Sequence, residues 1–236
     1  MKAGFFLFFL IGMPIFSNFW ANDKGFIWLL ILMVATIIST QFSIGMAWAE
    51  IFIIRFSFFV FTLIAFASSA FSIRSKVFGY AVAFLLLAFS IFMVDSTNPT
   101  LIVLHTTLMT AYMIFIMALV VKQIFEGEKM TVYKIGGGIA AYILIGHIWT
   151  SLYMTTYLVY PTAFQTGNQP IPLEQALRQL SYFSFVTLTT IGFGDITAVA
   201  PFARALVILE GLLGQLFPAI FIAKLVSLQL EHSKKR

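Results

Sequence analysis

A nine-residue stretch at positions 187–195, with the sequence TLTTIGFGD, carries the groups of this chain best suited to binding a cation. Two of its residues, Gly192 and Gly194, can adopt backbone angles that other residues reach only at a cost. Successive carbonyl oxygens can then point the same way, and a ring of such oxygens can replace the water around a potassium ion. The Thr190 hydroxyl could add one more oxygen at the inner end. The stretch therefore predicts a site for dehydrated K⁺, with ligands from Thr190, Ile191, Gly192 and Phe193.

The composition indicates that this stretch lies in a membrane protein. Of the 236 residues, 61% are hydrophobic and only 10% are charged, against about 25% charged in a typical soluble domain. A soluble domain of this size could not bury so much apolar surface. Soluble enzymes and disordered regulators are thereby excluded. A nucleic-acid binder is excluded too, because the few polar residues cannot build a basic face despite the net charge of +5.

Long apolar runs with short polar breaks predict an all-α integral membrane protein, since about 20 apolar residues cross a bilayer. The expected spans are residues 26–45, 51–72, 77–94, 100–122, 131–160 and 200–228. Residues 161–195 are too rich in Pro, Gly and Gln to form one helix. Within them, residues 173–186 are expected to form a half-helix whose carboxyl end points at the cation path. Residues 4–20 are ambiguous, because they either cross the membrane or lie along its inner face.

In this setting the stretch resembles the filter of the tetrameric pore-loop potassium channels. Their motif, T-x-x-T-x-G-Y/F-G-D, is matched at Thr187, Thr190, Gly192, Phe193, Gly194 and Asp195. The order of elements also fits over about 131–228: an outer helix, a pore helix, a filter and an inner helix. The resemblance is to bacterial-type members with six or seven spans. It implies a homotetramer in which each chain supplies one TIGFG filter strand: Thr190, Ile191, Gly192, Phe193 and Gly194.

Several residues around the filter are expected to support it. Thr187 and Thr189 belong to the motif segment just before the ion ligands. Asp195 ends the filter at the outer mouth, and Tyr182, about one pore-helix length back, is its expected hydrogen-bond partner. Some relatives have a second carboxylate where this chain has Val186, so that carboxyl pair is missing here.

Glu210 is the outstanding carboxylate inside an expected span, and such residues are functional candidates by default. It lies five residues before Gln215, which places the two side chains about 140° apart around the helix. With Gln215 on the ion cavity, Glu210 is expected to face the pore helix as a buried, hydrogen-bonded brace of the filter. A proton-sensitive gating site and a direct cation site are the alternatives.

The inner span contains Gly214 and Pro218, two residue types at which helices bend. By the resemblance, Gly214 falls where channel inner helices have a gating hinge. Close packing through a small residue is an equally good interpretation. Gln215 and Pro218 share one helix face with Ile222 and Val226, and the resemblance places that face on the ion cavity.

The chain is expected to divide into an N-terminal transmembrane helical domain, residues 1–125, and a pore domain, residues 126–236. The first domain stands where voltage-gated channels have their sensor. Its last span, residues 100–121, contains no Arg or Lys, whereas a sensor needs several regularly spaced cations. A cytoplasmic C-terminus places most of the fourteen basic residues inside, in agreement with the positive-inside rule. The expected location is a plasma membrane, such as a bacterial inner membrane.

These patterns predict a potassium-selective channel that conducts passively and is not an enzyme. Permeant K⁺ is the expected ligand, and no organic cofactor is expected. The expected partners are the other three copies, membrane lipid and an unidentified regulatory partner, but no nucleic acid. A weakly selective cation channel and a subunit of an ion-coupled transporter are the alternatives. His105 and His147 lie on different helices and could hold a haem, but with no third partner or motif they are expected to be hydrogen-bonded core residues.

Overall fold

The computed structural model describes residues 25–42, 73–92, 98–125 and 132–234, which contain six α-helices and three short β-strands. The helices are α1 (Gly25–Phe42), α2 (Ile73–Phe92), α3 (Pro99–Phe125), α4 (Val132–Val159), α5 (Leu173–Leu188) and α6 (Pro201–Lys234). The strands are β1 (Phe164–Thr166), β2 (Gln169–Pro170) and β3 (Ile196–Ala198). The expected span at 51–72 and the ambiguous segment at 4–20 lie outside the described residues.

The prediction of an all-α membrane protein is confirmed. Three helical segments are long and apolar enough to cross a membrane: Pro99–Phe125, Val132–Val159 and Pro201–Ser227. Helix α5 has 16 residues and is about 24 Å long, which is too short for the roughly 30 Å hydrocarbon core of a bilayer. It is the expected half-helix, and it ends two residues later than the sequence pattern predicted.

The starts of the helices follow from ordinary capping chemistry. The Asn98 side-chain oxygen accepts the Thr100 N–H at 3.1 Å, which satisfies one of the unpaired amides at the start of α3. Pro172 precedes α5 with φ −64°, an angle that its ring fixes. Glu174 then places a negative charge in the first turn, where the helix dipole favours it. Pro201 begins α6, a position where its missing N–H costs nothing.

Helix α4 is the central element, because it contacts α1, α3, α5 and α6. Two glycines near its start make this close packing possible. A Cβ on Gly137 would lie 2.7 Å from the ring of Phe26 on α1, and a Cβ on Gly138 would collide with the ring of Phe221 on α6. Helices α1 and α6 therefore pack closely against two adjacent faces of α4 near its start.

Helix α1 is hydrogen-bonded to both α4 and α5. The Thr36 hydroxyl donates to the Met33 carbonyl at 2.7 Å, so its oxygen is left to accept from the Nε2 of His147 on α4, 2.8 Å away. Near the other end of α1, the Gln41 amide donates to the Arg178 carbonyl on α5 at 3.3 Å. Position 147 is thus a buried, hydrogen-bonded core histidine, as expected.

A small antiparallel sheet, with strand order β2-β1-β3, joins the two ends of the segment between α4 and α6. The sequence pattern did not predict it. Strand β3 begins one residue after Asp195, and it pairs with β1 in the register Thr166 to Ile196. The Gly167 N–H also donates to the Asp195 carbonyl at 3.3 Å. The sheet therefore fixes the end of the 187–195 stretch that follows the glycines.

Candidate ion-binding site

Within the 187–195 stretch, the backbone angle φ is positive at every second residue from Thr190 to Gly194. Thr190, Gly192 and Gly194 have φ of 59°, 59° and 78°. Between them, Ile191 and Phe193 do not have positive φ. Thr190 is the only non-glycine residue with positive φ in the described ranges, and that region is costly for a β-branched residue. Such strain persists only where the surrounding structure imposes it, so the alternation is built into this site.

The amide groups of the stretch point back at α5. The N–H groups of Ile191 and Gly192 both donate to the Val186 carbonyl, at 3.0 and 3.4 Å, and the Thr190 N–H donates to the Thr187 carbonyl at 2.9 Å. In a trans peptide the carbonyl points opposite to the N–H of the same unit, and all described peptides are trans. The carbonyls of residues 189–191 therefore point away from α5, which is the arrangement that cation coordination requires.

One chain leaves this row of carbonyls open to the surroundings. Residues 189–195 are all exposed, and the large apolar side chains of Ile191 and Phe193 are 56% and 69% exposed. Apolar side chains exposed beside a polar backbone mark an interaction surface. One chain therefore presents an open row of carbonyls beside two exposed apolar side chains.

The last turn of α5 leads directly into the stretch. The Thr189 hydroxyl donates to the Phe185 carbonyl at 2.6 Å, and the Thr189 N–H donates to the same carbonyl at 3.0 Å. The threonine side chain is thus held against its own helix. Since the carboxyl end of a helix carries partial negative charge, it favours a cation placed near it.

At the end of the stretch that follows the glycines, Tyr182 and Asp195 are joined by a side-chain hydrogen bond. Partial burial, and the Asp195 carboxylate that accepts a hydrogen bond from the tyrosine hydroxyl, raise the pKa of Tyr182. The phenol therefore stays protonated and donates a hydrogen bond to the carboxylate. This contact ties the residue that follows the two glycines to the middle of α5.

Glu210 lies behind the stretch and is fully buried. It faces α5, as the 140° rotation from Gln215 predicted. The Ser184 hydroxyl of α5 is 2.6 Å from one carboxyl oxygen, and the Tyr153 hydroxyl of α4 donates to the other. Ser184 also reaches the Gly146 carbonyl of α4 at 2.8 Å. One carboxyl group thus connects all three helices around the site.

The hydrogens of this cluster can be counted. It has three contacts, and Tyr153 and Ser184 supply one hydrogen each. All three contacts are filled when the Glu210 carboxyl carries a proton and donates to Ser184, which then donates to Gly146. A neutral carboxyl also avoids the large cost of burying an unpaired charge.

Gly214 packs against the end of α5. A Cβ on this residue would lie 2.8 Å from the carbonyl carbon of Leu188 and closer still to its oxygen. The Tyr142 hydroxyl of α4 is 2.9 Å from that Leu188 oxygen and 3.3 Å from the Gly214 oxygen. Pro218 lies inside α6 and has no N–H to give to the Gly214 carbonyl four residues earlier. The Tyr142 hydroxyl therefore lies within hydrogen-bond distance of a carbonyl that has no amide donor within its own helix.

The expected cavity face of α6 is turned away from the other described helices. Gln215 is exposed and Pro218 is half-buried. Ile222 and Val226 are 58% and 54% exposed. Two helical turns of apolar surface therefore remain uncovered in one chain.

Three side chains of the site were not found from the sequence: Tyr142, Tyr153 and Ser184. Each belongs to a helix whose apolar pattern does not show which face meets the 187–195 stretch. The one usable signal was Ser184, which lies among larger apolar residues in the half-helix. The two tyrosines gave no such signal in the sequence, because their partners depend on how α4 and α6 are aligned.

Residues 171–230 match the family model described as "Ion channel". The match includes α5, the 187–195 stretch and most of α6, but not the four helices before them. It supports an ion-channel family and passive ion conduction, and such proteins assemble as oligomers in membranes. No curated protein and no solved structure matches the chain.

Proposed function

We propose that the chain forms a potassium-selective channel that conducts K⁺ passively through a pore made by four copies. The observation that carries this proposal is the backbone of residues 190–194. Positive φ at every second residue, together with amides that donate back to α5, turns successive carbonyls to the open side. Such carbonyls replace the water shell of K⁺. Thr190, Ile191, Gly192, Phe193 and Gly194 are the proposed filter, the first four being the proposed K⁺ ligands.

The incompleteness of the site in one chain supports the proposed homotetramer. A single row of carbonyls covers one side of an ion, and closed rings of identical subunits are how proteins complete such a site. The exposed rings of Phe193 and the exposed apolar face of α6 supply the contacts between copies. In this arrangement Gln215 is the main polar residue of the ion cavity, and Pro218 lies beside it.

The supporting roles are proposed on the contacts described above. Thr187 and Thr189 fix the inner end of the filter to α5, and the pair of Tyr182 and Asp195 fixes the outer end. Glu210 braces the filter from behind through α5. The proposed setting is a plasma membrane, such as a bacterial inner membrane, with the C-terminus in the cytoplasm.

A weakly selective cation channel is the second candidate, because of Phe193. Its ring lacks the hydroxyl of the alternative tyrosine, so it cannot donate a hydrogen bond that would hold the filter from behind. A looser filter would discriminate less between K⁺ and Na⁺.

Reversal potentials decide between the two candidates. With the purified protein in planar bilayers, K⁺ on one side and Na⁺ on the other, a potassium-selective pore reverses near the K⁺ equilibrium potential. Flux without a second coupled ion or ATP separates a channel from a transporter. A reversal potential near zero would establish equal permeability and reject potassium selectivity.

Gly192→Ala is expected to reduce the preference for K⁺ over Na⁺ about tenfold or to stop the current. An alanine at φ 59° costs roughly 1–2 kcal/mol, which the filter can relieve by turning a carbonyl. Gly167→Ala is the matched control, since it has the same φ and open space around its missing Cβ but lies outside the filter. Unchanged selectivity in Gly192→Ala would contradict the assigned ligands.

Opening is expected to depend only weakly on voltage. Steep gating takes about 3–4 charges in each of four subunits, and in α3 the only Lys or Arg is Lys122 near its end. Open probability in symmetric K⁺, fitted against voltage, should give an effective charge of about two or fewer per tetramer. A fitted value of about ten would show that charges elsewhere in the chain sense the field.

A further inference from the structure

A cavity of about 150 Å³ lies between the N-terminal helices and the pore helix α5. Its wall is formed by residues from α1, α2, α3, α4 and α5. It is separate from the filter and from the exposed face of α6, so the proposed conduction path does not use it. An engineered apolar cavity of the same volume holds a benzene molecule.

One polar group in the wall of this cavity has no partner. Ser181 of α5 is 1% exposed, and its hydroxyl oxygen makes no hydrogen bond within the described ranges. Buried hydroxyls are nearly always hydrogen-bonded, and an exception calls for an explanation such as an absent ligand. The hydroxyl can both donate and accept, so it can pair with any small molecule that carries a hydrogen-bonding group.

The rest of the wall includes both hydrogen-bond acceptors and apolar side chains. The hydroxyls of Thr40 and Thr150 donate to carbonyls of their own helices at 2.6 and 2.8 Å, which leaves only their oxygen lone pairs for a guest. Met109, Met113 and Met154 line the cavity as well. Their flexible thioethers fill irregular space and make favourable contacts with aromatic rings.

This lining selects the chemistry of a guest. The wall contains no Asp, Glu, Lys or Arg among the described residues, and its two histidines, His105 and His147, are buried and hydrogen-bonded to the hydroxyls of Ser90 and Thr36. A charged molecule would therefore find no carboxylate, ammonium or guanidinium group to pair with. A pure hydrocarbon would leave Ser181 unpaired. Water would satisfy Ser181 but would lie against the methionines without hydrogen bonds. A small uncharged molecule with one hydroxyl and an apolar body meets every part of the wall.

We propose that this cavity is a binding site for a small, membrane-soluble alcohol or phenol. Its hydroxyl oxygen accepts from Ser181 and its one hydrogen is donated to a threonine oxygen of the wall, while its apolar body packs on Met109, Met113 and Met154. Ser184, which holds Glu210, lies one turn further along α5 from Ser181. A bound molecule therefore sits beside the helix that supports the filter. The site does not depend on what the pore conducts.

Binding is tested with 4-fluorophenol and fluorobenzene by fluorine NMR, using the full chain in lipid nanodiscs and empty nanodiscs as the partition blank. We expect saturable 4-fluorophenol binding and weaker fluorobenzene binding. Ser181→Ala should weaken 4-fluorophenol about two- to tenfold and leave fluorobenzene unchanged. Ser39→Ala is the matched control, because that hydroxyl donates to its own helix at 3.0 Å and does not line the cavity.

A second variant keeps the test independent of the serine. Leu177→Phe places a larger side chain in the wall of the cavity and should remove saturable binding of both probes. The oligomeric state and the melting temperature of this variant are measured as controls for correct folding. Signals equal to empty nanodiscs, or equal binding by wild type and both variants, would overturn the proposal. So would a high-resolution structure in the presence of 4-fluorophenol that shows the cavity filled by water alone or by residues of this chain. None of these readouts needs a current, so a failed proposal about K⁺ leaves them interpretable.

Discussion

Replacing Gly214 with alanine is expected to abolish conduction and to destabilise the assembled protein. The added methyl group would lie 2.8 Å from the carbonyl carbon of Leu188 and 3.1 Å from its Cα. These are backbone atoms at the end of α5, so no side-chain rotation can relieve the clash. Overpacking of this kind costs about 1–3 kcal/mol and sometimes more, and the cost recurs in each copy.

Gly211→Ala is the matched control, one helical turn earlier on α6. Nothing lies within 4 Å of the position of its Cβ, and alanine favours a helix over glycine by about 1 kcal/mol. The melting temperature of the oligomer and single-channel currents of both variants are the measurements. If Gly214→Ala assembles with wild-type stability but no longer opens, the hinge interpretation is right. If it conducts as wild type does, the close packing described here is wrong.

Replacing Glu210 with leucine is expected to damage the filter and lower stability by about 1–3 kcal/mol per chain. The reason is a buried donor left without an acceptor. Ser184 can turn to the Gly146 carbonyl at 2.8 Å, but the Tyr153 hydroxyl loses the carboxyl oxygen to which it donates. We expect a lower melting temperature together with reduced or less selective current.

Two further variants separate the brace from other roles of this carboxyl group. Glu210→Gln keeps one donor and one acceptor, as a protonated carboxyl does, and should largely preserve conduction. Adding Tyr153→Phe to Glu210→Leu removes the hydroxyl that has lost its acceptor. The double variant should therefore lose less stability than the sum of the losses in the two single variants. A pH dependence of opening that disappears in Glu210→Gln would instead favour the proton-sensing alternative. Wild-type stability, conduction and pH response in Glu210→Leu would reject both roles.

The sequence could predict the helices, because a long apolar run indicates a membrane-spanning helix. The expected spans at 100–122, 131–160 and 200–228 correspond to α3, α4 and α6, and residues 173–186 to α5. It could not predict the sheet, since strands of two or three residues are too short for a period-two pattern. Their pairing depends on how the loop folds over the outer end of the filter.

In the candidate site, too, the sequence could predict local features but not contacts between distant segments. The glycines at positions 192 and 194 predict positive φ. Thr190 also has positive φ, which the sequence could not predict because a β-branched residue ordinarily avoids that region. The orientation of Glu210 could be predicted from helix geometry within α6. Its partner Tyr153 could not, because the pairing crosses from one helix to another and depends on their relative rise.

The contact among Tyr142, Gly214 and Pro218 bears on the elasticity of the inner helix. Bending a helix usually stretches a ladder of backbone hydrogen bonds, but here one rung is absent because proline has no amide hydrogen. The helix is therefore expected to bend most easily at that point, where the phenol of α4 lies 3.3 Å from the Gly214 oxygen. That phenol is anchored 2.9 Å from the last carbonyl of α5. One phenol thus links the point where α6 is expected to bend to the carboxyl end of α5, so a bend in α6 should change the contacts of that end.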